Sequence, residues 1–150
     1  MDIDIAIGQL KRTPILKVPT IIEIQGIPPN LSSDLKEAQL CHSIGANNAC
    51  VIMCRRALEQ LCIDKHANGH TLHQKLESLT EQGILSREIY EISTEIRYFG
   101  NFGAHPENDL FEGIVEHDAR EVLEMCIYIA KHVYEVPLRV QQLRERRRGT

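Results

Sequence analysis

The chain has 150 residues, of which 43% are hydrophobic and 25% are charged, and its formal net charge is −4. This length suits one domain with a single hydrophobic core, and the composition excludes a disordered or low-complexity chain. No apolar run approaches the roughly 18 residues that a membrane span needs. The acidic N-terminus does not resemble a secretory signal. We therefore expect a cytoplasmic protein without a membrane partner, and the negative charge argues against nucleic-acid binding over the whole surface.

Five cysteines, an odd number without CxxC spacing, favour free thiols over a disulfide framework. Cys50 and Cys54 lie one helical turn apart in an apolar run, where buried packing is a simpler interpretation than metal binding. A histidine cluster, His66, His70 and His73, could suggest zinc. It lies in a polar connection without a nearby cysteine, whereas structural zinc normally has four protein ligands. We expect no metal and no cofactor.

The hydrophobic pattern changes along the chain. Residues 1–27 alternate apolar and polar positions and carry β-branched residues between prolines, which predicts a short extended N-terminal arm. From Leu31 onward the apolar period becomes helical. The pattern predicts helices over about 31–44, 46–65, 71–82, 86–99 and 114–135. The first half of the second helix is apolar on all sides, which predicts a central buried helix.

Capping signals mark two of the helix starts. Asp34 followed by Glu37 fits an N-cap with its reciprocal acid, although Pro29 could begin that helix one turn earlier. Thr71 followed by Gln74 fits a capping box at the start of the short third helix.

These elements together predict an all-α fold. Four main helices and one short helix, joined by short connections, favour an antiparallel bundle over residues 28–137. Pro137 is expected to interrupt the last long helix, and residues 138–150 are expected to form a basic tail that is a fraying helix. The few aromatic residues predict a core of mostly aliphatic side chains and cysteine.

Three polar residues near the end of the fourth helix are candidate catalytic residues. Asn101 shares the face of Arg97 if the helix continues through Gly100. His105 precedes a proline, so the helix is expected to end before it. Arginine offers a planar fork for phosphate, and histidine can move a proton near neutral pH. Arg97, Asn101 and His105 therefore predict an anion or phosphodiester site.

A second pair of charges lies on the second helix. Arg55 and Glu59 are four residues apart and share one face beside apolar neighbours. They could bind Arg97 or order the following loop, or they could be an ordinary surface pair of little energetic value. In a purely structural alternative, Arg97 pairs with Glu59 or Glu95 and Asn101 caps its helix.

The C-terminus is strongly basic. Five arginines and one glutamate give residues 138–150 a charge of +4, which leaves −8 on the rest of the chain. Such a tail suggests contact with a polyanion or with the acidic body of a second subunit. The candidates for nucleic-acid contact are Arg144, Arg146, Arg147 and Arg148. The alternative is a solvated terminus without a ligand.

Two motifs resemble a known family. Arg-x-x-Leu-Glu at 55–59 and Gly-Asn-x-x-Ala-His at 100–105 are similar to those of the domain of unknown function 4145 family, which is assigned to the HEPN superfamily of helical bundles. The resemblance covers about residues 28–140. It implies a homodimer. Many members of the superfamily are metal-independent ribonucleases of toxin–antitoxin, anti-phage or CRISPR-linked systems, so the resemblance also suggests this activity.

In those ribonucleases the arginine holds the scissile phosphate and the histidine assists attack by the 2′-OH, roles that the resemblance assigns to Arg97 and His105. Seven residues separate the two here, more than in the active superfamily motif. We therefore expect a non-catalytic module of defence or mobile-element type that dimerises and binds nucleic acid, nucleotide or protein. The alternative is a dimeric, metal-independent RNA endonuclease that uses Arg97 and His105. A partner protein encoded nearby is also compatible with the resemblance.

Overall fold

The computed structural model describes residues 19–104 and 113–149, and all regular secondary structure in those ranges is helical. This confirms the all-α prediction. None of the helices in these ranges combines the length and apolar character of a membrane span. The elements are α1 (Pro29–Ser43), α2 (Asn47–Asp64), α3 (Leu72–Glu81), α4 (Arg87–Ala104), α5 (Glu116–Ala130), a π-helical turn (Lys131–Glu135) and α6 (Val136–Arg148).

Helix α2 is the centre of the bundle, as its apolar first half predicted. It packs against α1, α3, α4 and α5. Its core positions are almost fully excluded from solvent: Cys50, Val51, Cys54, Leu58 and Leu61. Burial of these side chains is the main favourable contribution to the packing of the four surrounding helices.

The two capping predictions had different outcomes. The capping box is confirmed, because the backbone N–H of Gln74 donates to Thr71 Oγ1 at 3.2 Å and the N–H of Thr71 donates to Gln74 Oε1 at 3.2 Å. Asp34 is not an N-cap, because α1 already begins at Pro29. Proline fits the first helical turn, where its missing N–H would have no helical partner. Asp34 is instead buried and pairs with Arg56 Nε at 3.3 Å.

Two predicted helix ends were wrong. The loop expected from Gly100 is helical as far as Ala104, because Gly100 packs closely on α2. Pro137 does not interrupt the chain, which passes from α5 through the π turn directly into α6. A proline ring clashes with the carbonyl four residues earlier in an α-helix. Here that carbonyl belongs to the wider π turn. Residues 138–148 are therefore helical, as part of α6.

The segment before α1 packs on the bundle through residues 22–26, and residues 1–18 of the predicted arm lie outside the described residues. Ile24 is buried. The N–H of Ile22 donates to Gln39 Oε1 at 2.8 Å, and Gln39 Nε2 donates to the Ile22 carbonyl at 3.2 Å. Gly26 lies against Leu138. These contacts connect the start of the described chain to both α1 and α6.

Candidate functional site

Helices α2 and α4 approach closely at a glycine. A Cβ atom placed on Gly100 would lie 2.5 Å from Arg55 Cβ and 2.8 Å from Arg55 Cδ. Only glycine fits this contact without movement of the chain. Arg97, Gly100 and Asn101 are spaced so that they share one face of α4. The crossing therefore places the stem of Arg55 within one helical turn of Arg97 along α4.

Both arginines carry a buried donor without a partner. The Nε atoms of Arg55 and Arg97 are buried, and neither has a hydrogen-bond partner in the described part of the chain. Leaving a buried donor unsatisfied costs about 1–3 kcal/mol, and more for a charged group. Both side chains are half-buried, and the Arg55 side chain is 33% exposed. Part of each side chain is therefore exposed to solvent, whereas the Nε atoms themselves are covered.

Glu59 lies one turn after Arg55 on α2, between two cations. Its Oε1 is 3.8 Å from Arg55 Nη2, and its Oε2 is 3.5 Å from Lys75 Nζ of α3. Both distances are longer than the 2.7–2.9 Å of a strong charge-assisted hydrogen bond. Neither Glu59 nor Glu95 forms an ion pair with Arg97 within the described ranges. The structural alternative for Arg97 is therefore not observed.

We call Arg55, Glu59, Lys75 and Arg97 the polar centre. Three cations and one carboxylate give it a local charge of +2, on a chain whose net charge is −4. Guanidinium groups bind planar anions such as phosphate and carboxylate through parallel N–H donors. The polar centre therefore has the charge and the unused donors of an anion site.

Lys75 has no distinguishing signal in the sequence. It follows Gln74 on the short helix α3 and precedes the buried Leu76, so the local pattern gives it the position of an ordinary surface lysine. Its role depends on how α3 packs against α2, which no spacing within α3 reveals.

The other predicted site residues are not all brought together. Asn101 is half-buried and shares the face of Arg97, because α4 continues through Gly100. His105 lies outside the described residues. The C-terminal arginines are exposed on α6, and among the described helices α6 packs only on the π turn. These arginines are Arg144, Arg146, Arg147 and Arg148. They do not belong to the polar centre.

Two of the buried core thiols, Cys62 and Cys54, are poor nucleophiles because their pKa values are raised. Burial and the neighbouring charge of Glu59 raise the pKa of Cys62 to about 12. Hydrogen bonding with the thiols of Cys126 and Cys50, together with burial, raises the pKa of Cys54 well above its usual value. Among the described residues, no three His, Cys, Asp or Glu side chains lie together as a metal-ligand set.

Comparison with known proteins places the chain in a family. The model of a domain of unknown function, DUF4145, matches residues 36–146. The chain belongs to the DUF4145 family. The DUF4145 match contains the whole polar centre, the α2–α4 crossing and both motifs noted in the sequence. No curated protein and no solved structure matched the chain.

Proposed function

We propose that this DUF4145 chain is a HEPN-like, non-catalytic binding and dimerisation module whose polar centre binds the phosphate of a nucleic acid or nucleotide. The observation that carries the proposal is the pair of buried, unpartnered Nε donors on Arg55 and Arg97. A phosphate group has several acceptor oxygens and a negative charge, so one phosphate can accept from both arginines. The resemblance to HEPN domains further suggests that the protein acts in a defence or mobile-element system.

The charge balance favours binding of an anion over a purely structural role. Glu59 offsets only part of the positive charge of Arg55 and Lys75, and Arg97 adds a further cation one turn from the crossing. Like charges held together without counter-charges destabilise a fold. A bound phosphodiester would reduce this repulsion, and its sugar and base could extend over the solvent-exposed side of the crossing.

The groups of the polar centre are suited to binding an anion. Arginine stays protonated at all relevant pH values. Glu59 is engaged by two cations, and the raised pKa keeps the thiol of Cys62 protonated. The ribonuclease alternative therefore depends on His105 as its base, whereas binding needs only the polar centre.

The binding proposal is tested by fluorescence anisotropy with a short labelled single-stranded RNA. Arg97→Gln should weaken binding by at least about tenfold, because a hydrogen bond to a charged group contributes about 1.5–3 kcal/mol. Arg87→Gln is the matched control, since Arg87 lies in the first turn of the same helix and its side chain is 79% exposed. Equal affinities for wild type and Arg97→Gln would refute the proposal.

The same RNA separates binding from catalysis. Incubation with wild-type protein in EDTA should leave the RNA intact. Cleavage that persists in EDTA and disappears in a stably folded His105→Ala variant would instead establish the ribonuclease alternative.

A further inference from the structure

The outer side of the helical path from α5 to α6 carries a line of apolar side chains that the described part of the chain leaves uncovered. Its apolar members are each at least 40% exposed, and their spacing of three or four residues puts them on one helix face. We call this line the outer stripe; it consists of Met125, Tyr128, His132, Val136, Val140 and Leu143. An apolar helix face of this length normally packs against another surface.

The π turn keeps the outer stripe continuous across the junction of α5 and α6. Its wider winding leaves Tyr134 buried, with its hydroxyl donating to Asp64 Oδ2 at 2.7 Å. Leu138 then faces Gly26 on the same inner side. Because these residues stay on the core side, Val136 and Val140 lie on the outer side, in line with the exposed residues of α5.

Opposite charges lie at the two ends of the outer stripe. Glu121 lies one turn before Met125, and Arg147 lies one turn after Leu143; both are exposed. If two copies of this helical path pair antiparallel, Met125 faces Leu143 and Glu121 faces Arg147. Tyr128 then faces Val140 in the same register. A parallel pair would place like charges together, which costs stability. The outer stripe is thus complementary to itself in the antiparallel direction only.

A groove beside Met125 would accommodate part of such a partner. The groove lies between α4 and α5 and has a volume of about 280 Å³. Its apolar lining consists of Ile92, Ile96, Phe99, Val122 and Met125. Glu95 and Glu121 flank it as exposed carboxylates. In the antiparallel register Leu143 of a second copy lies over this groove, and the basic end of its α6 lies beside the carboxylates.

We propose that the outer stripe is the interface of a homodimer in which the α5–α6 paths of two copies pair antiparallel, and Leu143 of each copy enters the α4–α5 groove of the other. This inference rests on the dimerisation part of the proposed function and is independent of phosphate binding. The partner is a second copy because the opposite charges at the two ends of the stripe meet when the same stripe is reversed upon itself, and the apolar positions match in that register.

Light scattering at tens of micromolar tests the interface. Wild type should have twice the mass of one chain. Leu143→Glu should weaken dimerisation at least about 100-fold and give a monomer, because it places a carboxylate in an apolar groove beside two others. Leu143 is 62% exposed, so the variant chain should fold normally, as circular dichroism would check. The control is Ile44→Glu, at a residue 68% exposed outside the stripe, which should remain a dimer.

Disulfide trapping tests the register. The double variant Met125→Cys, Leu143→Cys should form a covalent dimer on mild oxidation. Each single variant should form none, because equivalent positions of the two copies would lie about 27 Å apart along the paired helices. A monomeric wild type would overturn both this interface and the proposed dimerisation. A dimer that survives Leu143→Glu, or that is trapped equally by the single variants, would overturn the interface alone.

Discussion

Replacing Gly100 by alanine should destabilise the protein, although alanine is the better helix former. The new Cβ would lie 2.5 Å from Arg55 Cβ and 2.8 Å from Arg55 Cδ. Overpacking of this kind typically costs about 1–3 kcal/mol, and alanine recovers about 1 kcal/mol in helix propensity. Since a Cβ atom cannot rotate away from the contact, the two helix backbones must separate. We expect a net loss of up to about 2 kcal/mol in the free energy of unfolding.

Urea denaturation followed by circular dichroism measures this loss, and the melting temperature should fall by up to roughly 8 °C. The control is the same substitution in an Arg55→Gly background, where the obstructing side chain is absent. There Gly100→Ala should raise the free energy of unfolding by about 1 kcal/mol, because only the helix propensity remains. An equal effect of Gly100→Ala in both backgrounds, or a gain in the wild-type background, would refute the close contact between α2 and α4.

Three further predictions concern other parts of the bundle. Thr71→Ala removes the capping box and should cost about 1 kcal/mol in urea denaturation, whereas no loss would count against the cap. A thiol reagent at pH 8 should label the half-buried Cys41 first, while Cys62, with its pKa of about 12, should react only after unfolding; equal labelling rates would contradict its burial. Burial raises the pKa of Asp34 despite the lowering effect of Arg56, so folding favours its protonated form. That contribution is present at low pH and is lost as the pH rises through the folded-state pKa. Asp34→Asn should therefore be at least as stable as wild type at pH 7, with any gain vanishing below about pH 4; a large loss at pH 7 would show that the ion pair with Arg56 dominates.

The elements that the sequence predicted well depend on local information. The Thr71–Gln74 capping box involves atoms three residues apart, so the pattern contains both partners. The apolar run of α2 predicts a central helix because side chains in every direction must be buried. The shared face of Arg97 and Asn101 also follows from spacing alone, provided that the helix continues between them.

The errors occurred where tertiary packing overrides local preference. Gly100 lowers helix propensity by about 1 kcal/mol, yet its missing side chain allows the close contact with Arg55 that keeps α4 helical. Pro137 disfavours an α-helix, but the π turn before it accommodates the ring. Lys75 of α3 contacts Glu59 of the neighbouring helix α2. None of these contacts has a signature within its own segment.

Arginine side-chain NMR tests the polar centre most directly. The Nε–H resonances of Arg55 and Arg97 can be assigned by their loss in the Arg55→Lys and Arg97→Lys variants, and the protein can then be titrated with a short single-stranded RNA. Both resonances should shift and saturate together, because both donors lack a partner in the free protein within the described residues, while that of Arg87 stays in place. Saturable RNA binding that leaves the Arg55 and Arg97 resonances unmoved would contradict phosphate binding at the polar centre.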